Sequence, residues 1–175
     1  MSIYSYKGFT PQLANGVFIA PSADLIGQVS LEENVNIWYQ CVVRGDVNKI
    51  CIGKNTNIQD LSVLHVTEEN ALTIGEGVSV GHSVTLHACT VENNCLIGMG
   101  AVVLDGAVIG ANSIVAAGSL VPPGKIYPAG SMILGNPAIV KRALTPKELE
   151  TYGNHYKSYL NYKDEFLDSN LVKLV

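Results

Sequence analysis

An aliphatic residue returns at every sixth position over most of the chain. The series begins Leu25, Leu31, Ile37 and Val43, resumes at Ile52, Ile58 and Leu64, and again at Ile74, Val80 and Leu86. A last run takes in Val91, Ile97, Val103, Ile109, Val115 and Val121. Four positions after many of these stands a compact residue, such as Cys41, Thr56, Ser62, Cys95, Ala101 or Ser113, and glycine follows directly at Gly53, Gly75, Gly81, Gly98 and Gly110. Period six fits neither the 3.6-residue repeat of an amphipathic helix nor the two-residue alternation of a long strand. It fits short parallel strands joined by tight corners, three six-residue sides to one coil of a triangular prism. The aliphatic side chain points to the axis, the compact one fills the corner, and Gly or Asn turns the chain. The predicted fold is all-β, a left-handed parallel β-helix.

The pattern changes towards the C-terminus. Pro122 and Pro123 mark the end of the last regular side, and Gly135-Asn136-Pro137 reads as a loop. Thr145-Pro146-Lys147-Glu148 has the form of a helix start, with Thr as N-cap, Pro in the first helical position and Glu at the third. Leu149, Tyr152, Tyr156, Tyr159, Leu160 and Lys163 then share one helical face, suited to lying against the prism or a neighbouring subunit. The expected organisation is one domain: a β-helix with an N-terminal cap over 1–142, and a C-terminal α-helix and tail over 143–175.

Interruptions of the repeat lie beside the polar residues of interest. Val43 to Ile52 is nine residues and Leu64 to Ile74 is ten, where one side needs six; Leu86 to Val91 is five. Insertions in a solenoid are expected as outward loops that gather near function. At three sides per coil, Val43, Leu64, Leu86 and Val103 stack on one wall, which places Arg44, His65, His87 and Leu104 in one column. Adjacent strands lie about 4.8 Å apart, so the imidazoles of His65 and His87 can converge on one ion. Asp60 and His82 stack in a second column on the preceding wall, with Gln59 over Gly81. His82 therefore faces elsewhere, and a single prism does not unite the three histidines. Two prisms side by side do, and that heterologous contact closes into a ring. The expectation is a homotrimer with three interfacial sites, each open in a fourth position as catalysis requires. Imidazole ligation suits Zn²⁺, with Fe²⁺ or Co²⁺ as further occupants.

Around these histidines, Arg44 has Asp46 or Asp60 as a bidentate partner. Gln59 either holds a metal-bound water by its amide or is a satisfied wall residue. Glu68 and Glu69 follow His65 in the inserted loop as proton acceptors or solvated glutamates. His155 reads as an ordinary surface histidine.

Composition narrows the functional classes. The 175 residues carry a formal charge of −4 with 15% charged side chains and no basic run, which argues against nucleic acid as a partner. No stretch approaches a membrane span, and the segment from Met1 to Phe9 has no apolar run of a signal peptide. Cys41, Cys51, Cys89 and Cys95 form no CxxC pair and read as reduced thiols of a cytoplasmic protein, small residues that fill a narrow core.

Arg44-Gly45-Asp46, Gln59-Asp60, His65, and His82 with His87, on hexapeptide repeats followed by a C-terminal helix, resemble the gamma-class carbonic anhydrases. Segment 96–109, LIGMGAVVLDGAVI, is similar to a bacterial branch that includes thioesterase-like proteins of the phenylacetate pathway and ferripyochelin-binding-like proteins. The resemblance spans nearly the whole chain. It implies a zinc site of His65, His82 and His87 shared between subunits, Gln59 orienting a metal-bound hydroxide, and Arg44, Asp46 and Asp60 organising the trimer interface. It further implies a tyrosine of the C-terminal helix, assigned to Tyr159, reaching the site. The founding archaeal enzyme differs by a long acidic loop after the first histidine and an acidic residue where Val47 stands here, which leaves Glu68 and Glu69 as the shuttle candidates.

The expected activity is reversible hydration of CO₂ to bicarbonate. The same site could serve an acyl-CoA thioesterase; metal-free acyltransfer with a histidine base, and a non-catalytic metal-binding subunit, are the remaining readings.

Overall fold

A computed structural model describes residues 2–169. Seven coils stack into a triangular parallel β-helix. The first holds β1 (Ser2–Tyr4), β2 (Gln12–Leu13) and β3 (Phe18–Ile19); the second β4 (Asp24–Leu31) and β5 (Asn36–Ile37); the third β6 (Val42–Ile52) and β7 (Asn57–Ile58). The fourth holds β8 (Val63–His65), β9 (Leu72–Ile74) and β10 (Ser79–Val80), the fifth β11 (Thr85–His87), β12 (Thr90–Val91) and β13 (Leu96–Ile97). The sixth holds β14 (Val102–Val103), β15 (Val108–Ile109) and β16 (Ile114–Val115), and the seventh β17 (Leu120–Val121), β18 (Ile126–Tyr127) and β19 (Ser131–Gly135). Strand β20 (Ala138–Ala143) folds back antiparallel on β19. Helices α1 (Pro146–Gly153) and α2 (Tyr156–Asp168) follow.

The first wall runs β4-β6-β8-β11-β14-β17, the second β6-β9-β12-β15-β18, and the third β3-β5-β7-β10-β13-β16-β19. Register follows the six-residue count: Val43, Leu64, Leu86, Val103 and Val121 are successive partners, as are Ile37, Ile58, Val80, Ile97, Val115 and Ile133. These side chains are essentially inaccessible and form one continuous core along the axis. Burial of each such Leu, Ile or Val stabilises the fold by roughly 1.5–3 kcal/mol.

Corners explain the Asn and Gly pattern. Between the second and third walls, Gly16, Asn34, Asn55, Gly77, Asn94, Asn112 and Gly130 all have φ between 56° and 71°. Each N–H in this column, from Asn34 onward, donates to a carbonyl of the coil before. Asn tolerates this left-handed conformation because its short polar side chain bonds locally, and Gly because it has no Cβ.

Four expectations need amendment. Coils continue past Pro122-Pro123, because Tyr127 and Ile133 keep the six-residue step and these prolines occupy a corner. The expected N-terminal cap is itself a coil, since β1 and β2 pair in parallel with β4 and β3 with β5. The extra residues between Val43 and Ile52 are absorbed in the single eleven-residue strand β6 instead of looping out. The helical segment is broken at Asn154 and His155. Leu149 and Tyr152 are exposed, whereas Tyr156, Tyr159, Leu160 and Lys163 of the expected face turn inward in α2, and Tyr159 with Phe166 packs against Phe18 and Trp38. The anticipated capping box is present, with Thr145 accepting from Glu148 N–H and Glu148 from Thr145 N–H. Gly135-Asn136-Pro137 forms the turn between β19 and β20. No helix among the described residues is long and apolar enough to cross a membrane.

Candidate metal centre

The wall register places Arg44, His65 and His87 in one column, the two histidines closing β8 and β11 while Arg44 lies within β6. His65 Nδ1 lies 3.0 Å from His87 Nε2. The opposite nitrogen of each ring meets a carboxylate: His65 Nε2 is 3.0 Å from Asp46 Oδ1, and His87 Nδ1 makes a short contact with Asp105. Arg44 in turn pairs closely with Asp46. Burial tends to raise the Asp46 pKa, but hydrogen bonds from His65 and Arg44 outweigh it and hold the carboxyl below its ordinary value.

This order has a chemical consequence. Ionised carboxylates only accept, so the ring nitrogens facing Asp46 and Asp105 carry the N–H groups. A neutral imidazole has a single N–H, and both facing nitrogens then present lone pairs. Two lone pairs at this separation repel unless a positive centre, a proton or a metal cation, lies between them. Nitrogens bound tetrahedrally to one zinc at about 2.0–2.1 Å stand roughly 3.3 Å apart, so a few tenths of an ångström of opening admits the ion. Two carboxylate-backed imidazoles also fit the usual surroundings of a metal-ligating histidine.

His82 stands at the corner between the third and first walls, next to Ser83 with φ 58°. Its Nδ1 is 2.9 Å from Asp60 Oδ2, which leaves Nε2 as the lone-pair nitrogen on a side chain 43% exposed. Asp60 also accepts from Tyr39 N–H. Asp60 thus serves His82, and within the chain Arg44 is left to Asp46. Among the described residues no three His, Cys, Asp or Glu side chains are arranged to hold a metal ion. The three histidines occur as a pair and a single residue.

Gln59 is 4% exposed and donates through Nε2 to Asn57 Oδ1 at 3.0 Å. Asn57 donates to Ser79 Oγ at 2.9 Å, and His155 Nδ1 lies 3.1 Å from the same hydroxyl. His155 is therefore joined to the third wall, not merely solvated, and burial lowers its pKa. Tyr159 packs edge-on against Trp38, and burial, aided by the Asp60 charge, pushes its phenol up to about 12. Gln59, Asp60, His82 and Tyr159 thus belong to the third-wall side of the molecule. Arg44, Asp46, His65 and His87 lie at the far edge of the first wall. Glu68 and Glu69 are exposed in the loop after His65, where the Glu68 carbonyl accepts from Asn48. A broad groove between Phe9 and Gln28 contains none of these residues.

Sequence reasoning missed Asp105, although a signal existed: it follows His87 by 18 residues, one full coil. The column count lands on Leu104, but the chain bends towards the corner at Gly106, φ 67°, and brings the next side chain under His87.

Residues 88–123 match the sequence family described as "Bacterial transferase hexapeptide (six repeats)". The chain is 44% identical over 170 residues to protein YrdA of Escherichia coli, covering 93% of this chain and 92% of that one. It is 49% identical over 80 residues to a carbonic anhydrase of Geobacillus kaustophilus, covering 46% of this chain and 44% of the relative. Gamma carbonic anhydrase 2, mitochondrial, of Arabidopsis thaliana is 46% identical over 80 residues, covering 42% and 29%. The chain thus spans less than half the length of these two relatives. Among solved structures, a hexapeptide transferase family protein from Anaplasma phagocytophilum is 39% identical with a TM-score of 0.88, covering 94% of this chain and 97% of that one. A Bacillus cereus protein provisionally described as an acetyltransferase is 38% identical with a TM-score of 0.92, covering 94% and 96%. With its repeat, its three carboxylate-backed histidines and these relatives, the chain belongs to the gamma-class carbonic anhydrase family of hexapeptide-repeat proteins.

Proposed function

We propose that the protein works as a homotrimer which reversibly hydrates CO₂ to bicarbonate at metal centres between subunits. The observation that carries this reading is the His65–His87 pair, whose facing nitrogens call for a proton or a metal cation between them and whose outer nitrogens face Asp46 and Asp105. His65 and His87 of one subunit and His82 of the next would hold Zn²⁺, with Fe²⁺ or Co²⁺ as alternatives. A divalent cation in such a set lowers the pKa of a bound water toward about 7 and so supplies hydroxide at neutral pH.

The chain's own residues account for the remainder. Gln59 spends its amide N–H on Asn57, which leaves its oxygen to accept from a water at the centre. Asp46 and Asp60 fix the tautomers of His65 and His82, and Arg44 balances the charge of Asp46. Outward side chains of the first wall, Val42, Val63, Val102 and Leu120 with Thr85, form a mostly apolar face suited to burial between subunits and to passage of uncharged CO₂. Glu68 and Glu69 are the acceptors available for the released proton, and Val47 leaves the site without an acid beside Asp46. Proton release is therefore expected to limit turnover. Carbonic anhydrase names among the relatives support this role.

The test is stopped-flow CO₂ hydration by the zinc-loaded full chain from neutral to alkaline pH, reduced and oxidised, with His65→Ala beside it. Activity lost in the variant supports the proposal; no hydration by the wild type under any of these conditions overturns it. The transferase descriptions of the solved relatives favour a second reading, chemistry on an acyl-CoA. Thiol release from a panel of acyl-CoAs that stops on chelation points to a metal thioesterase, and release or transfer that survives chelation to acyltransfer with a histidine base. Retained metal without any turnover leaves a metal-binding subunit.

A further inference from the structure

The geometry points to Asp105 as a positioning residue that fixes the tautomer and direction of His87 for metal binding. This inference rests on the proposed metal centre and adds a residue to it. Asp105 stands one coil beyond His87, on the side away from His65, and its carboxylate makes a short contact with His87 Nδ1. The histidine pair is consequently bracketed: Asp46 lies behind one ring and Asp105 behind the other. Asp46 is shared with Arg44, whereas no basic residue is paired with Asp105 among the described contacts.

The carboxylate acts in three ways. As an acceptor it holds the proton on Nδ1, which leaves Nε2 the lone pair aimed at His65. Its negative charge raises the electron density of the imidazole and so its basicity as a ligand. Its place at the end of the column stops the ring turning about its side-chain bonds, a motion that the surrounding 30% exposure of His87 would otherwise allow. The neighbouring sequence keeps the carboxylate there: Gly106 turns the corner with φ 67°, and its N–H donates to Ala88 O, next to His87. Loss of such a partner typically reduces metal affinity about 10–100-fold.

The experiment measures Zn²⁺ affinity of the full chain by competition with a chromophoric chelator, for wild type, Asp105→Ala, Asp105→Asn and His87→Ala. The ¹⁵N shifts of the histidine rings are recorded in parallel, because they report the tautomer directly and a merely structural role does not move them. Asp105→Ala is expected to weaken Zn²⁺ binding by about 10–100-fold and to lose the single Nδ1–H form of His87. Asp105→Asn, which can still accept from Nδ1–H but carries no charge, is expected to keep the tautomer and lose only part of the affinity. Wild-type affinity and an unchanged His87 tautomer in both Asp105 variants, while His87→Ala loses Zn²⁺, overturn the role of Asp105 alone. Wild-type affinity in His87→Ala overturns the metal centre itself. If Asp105→Ala fails to fold, the near-isosteric Asn variant decides.

Discussion

At the residue scale, the four cysteines separate into two kinds. Burial pushes the Cys41 thiol up to about 11 and those of Cys89 and Cys95 to about 12, so at pH 8 each is protonated and shielded. Cys51, on the outer side of β6, is only half-buried. A thiol reagent at pH 8 is expected to modify Cys51 rapidly and the other three only after denaturation; rapid modification of more than one native thiol contradicts this. The reading of these cysteines as small core residues from sequence holds for three of them because each sits at an inward or corner position of the repeat. The same counting located His65 above His87 and Asp60 beside His82. It did not reveal the carboxylates behind His65 and His87, since their column runs through Arg44 and Leu104 and the reach of Asp46 and Asp105 into it depends on side-chain direction. His155 illustrates the same limit: its link to Ser79 spans 76 residues and has no periodic signal.

At the element scale, the glycines divide by what surrounds them. A Cβ at Gly98 would lie 2.4 Å from Ala117 N in the next coil, with other backbone atoms of that coil within 2.8 Å. Backbone cannot yield locally, so Gly98→Ala is expected to cost more than about 3 kcal/mol or to prevent folding. Gly118 has φ 68° with nothing within 4 Å of the added atom, and Asn fills the equivalent conformation at Asn34, Asn55, Asn94 and Asn112. Gly118→Asn should therefore cost less than about 1 kcal/mol. Urea unfolding of the two variants side by side checks the contrast, and equal losses contradict it. The start of α1 gives a pH prediction. Glu148 is held at about 2 by Arg142, then by the N–H and hydroxyl of Thr145. A carboxyl depressed on folding stabilises the helix fully above its ordinary value near 4.5, and this contribution is lost as pH falls through that value towards about 2. Protection of the α1 amides, taken against the intrinsic exchange rate at each pH, should fall over that window in wild type and show no such fall in Glu148→Gln. This helix start was readable because a capping box is a local motif. The break at Asn154 and the packing of Phe166 on Trp38 were not, because they depend on how the helices meet the third wall.

At the scale of the whole molecule, the repeat prescribes a rod with three walls, and the walls differ. The third is covered by α2, whose Tyr159 and Phe166 close over Trp38. The first presents a mostly apolar strip with His82 at one edge and the His65–His87 pair at the other. Under the proposed function the two parts of the site stand on opposite edges of one wall and meet only across a neighbour, and such a heterologous contact forms a ring where its rotation closes. The sequence made this much legible because column membership is arithmetic; the closure itself depends on the angle between neighbouring walls, which no spacing encodes. The proposed assembly has a sharp consequence for mixed subunits. His82→Ala and His65→Ala trimers should each lack competent centres, since every interface is missing a ligand. On co-refolding at equal amounts, about three quarters of the trimers contain both variants, and around any such ring one interface joins an intact pair to an intact His82. Roughly a quarter of wild-type zinc sites should therefore return. Metal content and CO₂ hydration of the mixture, compared with the two variants refolded separately, measure this. A mixture no better than its components would mean that the three histidines do not meet across subunits.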